Sequence, residues 1–108
     1  MMDMRSLITL LRETASSEFL DSFWFVYLFG SARGGLRADS DVDLIFVYEC
    51  GREEMARRFR LNACRRAWDA YGVQLDITLL NKEEEEDIGF VARERAVLIL
   101  GSSEPLTR

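Results

Sequence analysis

The sequence predicts an α/β (α+β) fold: a small mixed β-sheet with helices packed mainly on one face. Three observations carry this. Short runs rich in aromatic and β-branched residues occur three times, each bounded by glycine, asparagine or polar residues. Stretches with apolar residues at helical spacing lie before, between and after them. The chain has 108 residues, 48% of them apolar, which suits one core and a single domain over residues 1–108.

The elements follow in order. Leu7, Ile8, Leu11, Ala15 and Phe19 recur at helical spacing, so residues 4–19 form an amphipathic helix. Residues 23–29, FWFVYLF, read as a buried strand closed by Gly30. Residues 30–40, GSARGGLRADS, hold three glycines and several small polar residues and form a loop or one helical turn. Residues 42–48 make a second strand. Glu53 and Glu54 open a helix at the end that favours acids; Met55, Phe59, Ala63, Ala67 and Tyr71 form its apolar stripe, and Gly72 ends it. Residues 73–80 make a third strand. Asn81 caps a last helix, with Glu84 in the capping-box position. Ile88, Val91, Ala92, Ala96 and Ile99 continue its periodicity until Gly101 and Pro105 stop it.

Composition excludes several chemistries. There is no histidine, so histidine bases, histidine-ligated zinc and serine triads are ruled out. The two cysteines, Cys50 and Cys64, form no metal-ligand pair and read as buried free thiols, in keeping with a reducing cytoplasm. A net charge of -5 speaks against nucleic acid as a partner. The longest apolar run is far too short to span a membrane, and the N-terminus lacks the pattern of a signal peptide. The expectation is a cytoplasmic protein. Its chemistry must rest on carboxylates, arginines, hydroxyls and oxygen-preferring metals.

The second strand carries the central motif. Asp41 and Asp43 are two apart, so in an extended chain they share a face, while Val42 and Leu44 point into the core. Paired carboxylates raise one another's pKa unless a cation lies between them. Asp76 has the same setting in the third strand, with Leu75, Ile77 and Leu79 facing the other way. If these strands are neighbours, the three acids converge and their oxygen donors select Mg²⁺ or Mn²⁺. Gly30 and Ser31 end the first strand, where a bare backbone, its amides and a hydroxyl suit phosphate oxygens. Arg33 and Arg37 lie nearby to neutralise triphosphate charge, and Ser40 borders the first acid. Taken singly, each feature has a plain structural reading. Gly-Ser is a turn, Ser40-Asp41 a cap, Asp76 a guard on an edge strand. Three acids on one parity beside a glycine turn make that combination improbable.

Leu28-Phe29-Gly30-Ser31, then Asp41-Val42-Asp43-Leu44, then Leu75-Asp76-Ile77 resemble the motifs of the polymerase-beta-like nucleotidyltransferase superfamily. Residues 30–47 are most similar to the minimal nucleotidyltransferases of bacteria and archaea and to the nucleotide-binding part of aminoglycoside adenylyltransferases. The resemblance covers nearly the whole chain. It implies that Gly30 and Ser31 hold the triphosphate of ATP, and Arg33 and Ser40 are further candidate nucleotide-binding residues. It further implies that Asp41, Asp43 and Asp76 are the catalytic metal ligands, with Asp76 placed to assist an attacking hydroxyl. Nine residues separate Ser31 from Asp41, one fewer than the minimal family commonly has. That shortening preserves strand parity but alters the phosphate-gripping loop.

The family's larger members carry a second domain for the acceptor, and almost nothing follows Gly101 here. The resemblance therefore implies an acceptor from elsewhere: a partner protein, a second copy of the chain or a small molecule. Minimal relatives pair with a helical HEPN-type toxin, act as its antitoxin and transfer AMP to one of its tyrosines. A binding module that neutralises its partner by contact alone, and a small-molecule adenylyltransferase, are the alternatives. Two charge runs, the arginines Arg57, Arg58, Arg60, Arg65 and Arg66 and the acids of residues 83–87, read first as solvated helix faces.

Overall fold

A computed structural model describes residues 2–18, 22–30 and 41–102, with the side chains of residues 16–18 outside that description. The elements run α1 (Met4–Glu18), β1 (Trp24–Phe29), β2 (Val42–Tyr48), α2 (Glu53–Tyr71), β3 (Leu75–Asn81), α3 (Lys82–Ile88), α4 (Phe90–Arg93) and β4 (Val97–Gly101). The four strands form one mixed sheet in the order β3-β2-β1-β4. β1 lies antiparallel to both β2 and β4, whereas β2 and β3 are parallel. A parallel pair requires a crossover between its strands, and α2 supplies it.

Strand alternation sets the core. Trp24, Val26 and Leu28 of β1, Val42, Leu44, Phe46 and Tyr48 of β2, and Leu75 and Ile77 of β3 are buried on one face. They join Leu7, Leu11 and Ala15 of α1 and Ala56, Phe59, Ala63 and Ala67 of α2 in one cluster. Phe46 and Phe59 are its centre, their rings stacked with centroids 4.2 Å apart. The opposite face holds a smaller cluster. Ile45, Val47 and Leu80 are covered there by Phe25, Tyr27, Phe29, Phe90, Val91 and Ala96. The two long helices thus cover one face, and the α3–α4 segment folds partly over the other.

Termini follow local chemistry. The Asp3 carboxylate accepts from the Ser6 amide at 2.8 Å, satisfying a first-turn donor of α1. Gly72 closes α2 at φ +66, its amide donating to the Trp68 carbonyl at 2.9 Å. The expected capping box is present: Glu84 N–H donates to Asn81 Oδ1 at 2.8 Å and Asn81 N–H to Glu84 Oε1 at 2.9 Å.

Three expectations need correction. First, the last helix does not run to Gly101. Gly89 stops α3 in the left-handed region at φ +66, α4 lasts one turn, and Arg95 turns the chain at φ +54. Val97-Leu98-Ile99-Leu100 then forms β4 on the free side of β1. A β-branched run too short for a helix gains more by pairing with an open strand. Second, Cys50 is exposed rather than buried, because it sits past the end of β2; Cys64 is half-buried, and both are free thiols. Third, Tyr71 leaves the stripe of α2 and is 37% exposed, and Ala56 takes an inward place. No helix among the described residues is long and apolar enough to cross a membrane.

Candidate active site at the Asp43 end of the sheet

Pairing register brings the sequence's acids together. Asp43 lies directly opposite Asp76 across the parallel β2–β3 pair. On its other side it lies opposite Phe29, the last residue of β1. Cross-strand partners share a face, so Asp43 and Asp76 project from the side away from α1 and α2. Asp41 precedes β2 by one residue and is exposed, as is Asp76; Asp43 is half-buried. The amide of Val42 donates to the Gln74 carbonyl at 3.0 Å, tying the start of β2 to the approach of β3.

Gly30 sits against this group. Its φ is +76, and a Cβ there would land on Asp43 Oδ2, with the Asp43 Cγ 3.2 Å away. The backbone at the end of β1 therefore touches the Asp43 carboxylate at a distance only glycine permits. Ser31, Arg33 and Ser40, expected to hold phosphates, and Arg37 lie outside the described residues.

The electrostatics agree with the geometry. Burial pushes the Asp43 carboxyl above its ordinary range, and the charges of Asp76 and Asp41 push it further. Both neighbouring acids thus act on Asp43. The same end of β1 carries an aromatic contact that the sequence does not disclose. Phe29 beside Asp43 meets Phe90 of α4 edge to face at 5.4 Å, and the Arg93 guanidinium lies over the Phe90 ring at 5.5 Å. Phe90 was legible only as part of a longer helix, so its return to the end of β1 left no local signal. Behind the strand, Cys64 of α2 donates to the Leu75 carbonyl at 3.5 Å. Burial raises its thiol, Arg60 partly offsets this, and Asp76 adds to it.

The donor set suits a hard divalent ion, being carboxylate oxygen throughout. Among the described residues no group of three or more acids and cysteines is gathered closely enough to hold a metal by itself. Two repelling carboxylates abreast, with a third at the mouth, are the chemistry such an ion relieves.

A family model described as a nucleotidyltransferase domain matches residues 11–99, from the middle of α1 into β4. No curated protein matches the chain, and no solved structure does.

Proposed function

The chain belongs to the nucleotidyltransferase domain family, and we propose that it transfers AMP from ATP to a hydroxyl of a partner protein, as the antitoxin of a HEPN-type pair. The observation that carries the chemistry is the register: Asp43 opposite Asp76, with Asp41 and Gly30 beside them. Asp41, Asp43 and Asp76 would hold Mg²⁺, or Mn²⁺ in its place. When bound, the ion supplies charge neutralisation at the phosphates.

The chain's own residues divide the remaining work. Gly30 lets the triphosphate approach the backbone, and Ser31, Arg33 and Ser40 grip its oxygens. Asp76, the most accessible of the paired acids, accepts the proton of the attacking hydroxyl. The hydroxyl oxygen bonds to the α-phosphorus as the bond to the β-phosphate bridge breaks, and pyrophosphate leaves with the electron pair. Phe29, opposite Asp43 in the sheet, and the Phe90 ring packed on it form an apolar flank at this end of the sheet. The protein acceptor rests on the motif resemblance to the minimal nucleotidyltransferases.

ATP labelled at the α-phosphate, incubated with the chain and a co-encoded helical partner, tests this. Label should pass to the partner, and none should pass from ATP labelled at the γ-phosphate. Asp43→Asn should lower transfer by ~100-fold or more, the scale of losing one preorganised charge-stabilising group. Undiminished transfer would overturn the assignment. A contact-only module is favoured by one observation, the incomplete ligand set among the described residues. It predicts that a variant with all three aspartates changed to asparagine still neutralises the partner at wild-type strength. A small-molecule acceptor predicts transfer without any protein partner.

A further inference from the structure

The outer pole of α2 is apolar where a solvated helix should be polar. Leu61 is 58% exposed and Trp68 61% exposed, the two most exposed large apolar side chains among the described residues. They are seven residues apart and so share one stripe two turns long. The helix buries Ala56, Phe59, Ala63 and Ala67 on its opposite side, so this stripe plays no part in the core. Trp24 by contrast is buried and stacked on Phe46 at 6.1 Å.

Arginines frame the stripe. Arg57 and Arg58 stand four and three residues before Leu61; Arg65 stands four after Leu61 and three before Trp68. These are the spacings of helix-surface neighbours. All three are exposed. Glu54 makes an exposed pair with Arg57 at 3.7 Å, and Asp69 lines the groove between α1 and α2 with Arg66. A basic apolar strip thus stands out on a chain whose net charge is -5.

From this we infer that the outer face of α2 is a docking surface for an acidic amphipathic helix of a partner protein. Leu61 and Trp68 would be its anchors, and Arg57 and Arg65 would pair with acids on the partner's flanks. Exposed tryptophan and arginine are the side chains that dominate protein interfaces. The charge pattern selects this occupant over a second copy. Two α2 helices packed about a two-fold axis would set arginines against arginines. The chain's own acidic helix, α3, lies over the opposite face of the sheet with Lys82, Glu85 and Glu86 beside Phe25 and Val47. Joining it to α2 of another copy would build an open chain rather than a closed dimer. Two apolar side chains are also too few to hold a helix in a lipid interface. Such a surface serves a nucleotidyl acceptor and a contact-only partner alike, so it stands or falls apart from the chemistry at Asp43.

A displayed library of helical peptides, selected on the wild-type chain and counter-selected on Trp68→Glu, tests the surface. The expected winners carry apolar residues at i, i+3, i+4 and i+7 with Glu or Asp beside them. Their binding should shift the emission of Trp68 to shorter wavelength. Trp68→Glu and Arg65→Glu should each weaken binding at least about tenfold, as loss of an interface anchor does, with unchanged circular dichroism. Winners that bind both variants as well as the wild type would overturn the inference, as would winners that are basic or no Trp68-dependent winners at all. So would a wild-type dimer that Trp68→Glu dissociates, or the same emission shift produced by phosphatidylserine vesicles rather than by the acidic peptides.

Discussion

Asp43 ionises at an electrostatic cost in this site. Its carboxyl is raised by burial and by Asp76 and Asp41. A carboxylate raised in the folded state favours folding only when protonated, so that stabilisation is present below its ordinary pKa of 3.8 and is lost as pH rises through the raised value. At neutral pH without metal, the ionised group strains the site. Asp43→Asn should therefore raise the thermal midpoint at pH 7, and the gain should vanish on acidification below 3.8. Addition of Mg²⁺ should stabilise the wild type and leave the variant unmoved; a destabilised variant at pH 7 would show the repulsion to be absent. Gly30 gives a second residue-scale prediction. Alanine there meets both the positive φ and the Asp43 carboxylate. It should cost ~1–2 kcal/mol from the left-handed backbone alone, and denaturant unfolding measures it. A neutral Gly30→Ala would mean the backbone and carboxylate are not in contact.

At the scale of elements, β2, α2 and β3 build the site together. α2 is a crossover that makes β2 and β3 parallel, and the parallel register sets Asp43 beside Asp76. Much of this was legible. Alternation in residues 42–48 and 73–80 places Asp43 and Asp76 on the outward parity, and single residues signal the cap at Asn81 and the stop at Gly72. What was not legible depended on tertiary pairing. Residues 88–99 satisfy helical spacing by accident, and only the open edge of β1 makes Val97–Gly101 a strand. Strand order β3-β2-β1-β4, and hence the adjacency of the two acid-bearing strands, depends on tertiary pairing that no local pattern encodes. Phe90's place beside Phe29 followed from the same turn. The cap offers a check at this scale: Asn81→Ala should cost ~1 kcal/mol through lost first-turn donors of α3, measured by chemical unfolding. Phe59→Ala removes the ring stacked on Phe46 and should cost ~3–5 kcal/mol. Retention of wild-type stability by the Phe59 variant would contradict the placement of α2 on the sheet.

Across the whole molecule, apolar and polar work fall on different faces of one sheet. α1 and α2 seal one face, and the acids stand at one end of the other, beside the short α3–α4 cover. The family match spans most of this frame, from α1 into β4. The paired acids thus stand at one sheet end, and α2 presents a surface rich in arginine and exposed apolar side chains. The most direct test is calorimetric titration of the purified chain with non-hydrolysable ATP and GTP analogues, with and without Mg²⁺, beside the Asp41→Asn/Asp43→Asn double variant. Binding that requires both the ion and the two aspartates is expected. Equal affinity without the ion or in the variant, or no binding up to about 1 mM nucleotide, the upper end of ordinary substrate affinities, would contradict a nucleotide site built on Asp41, Asp43 and Asp76.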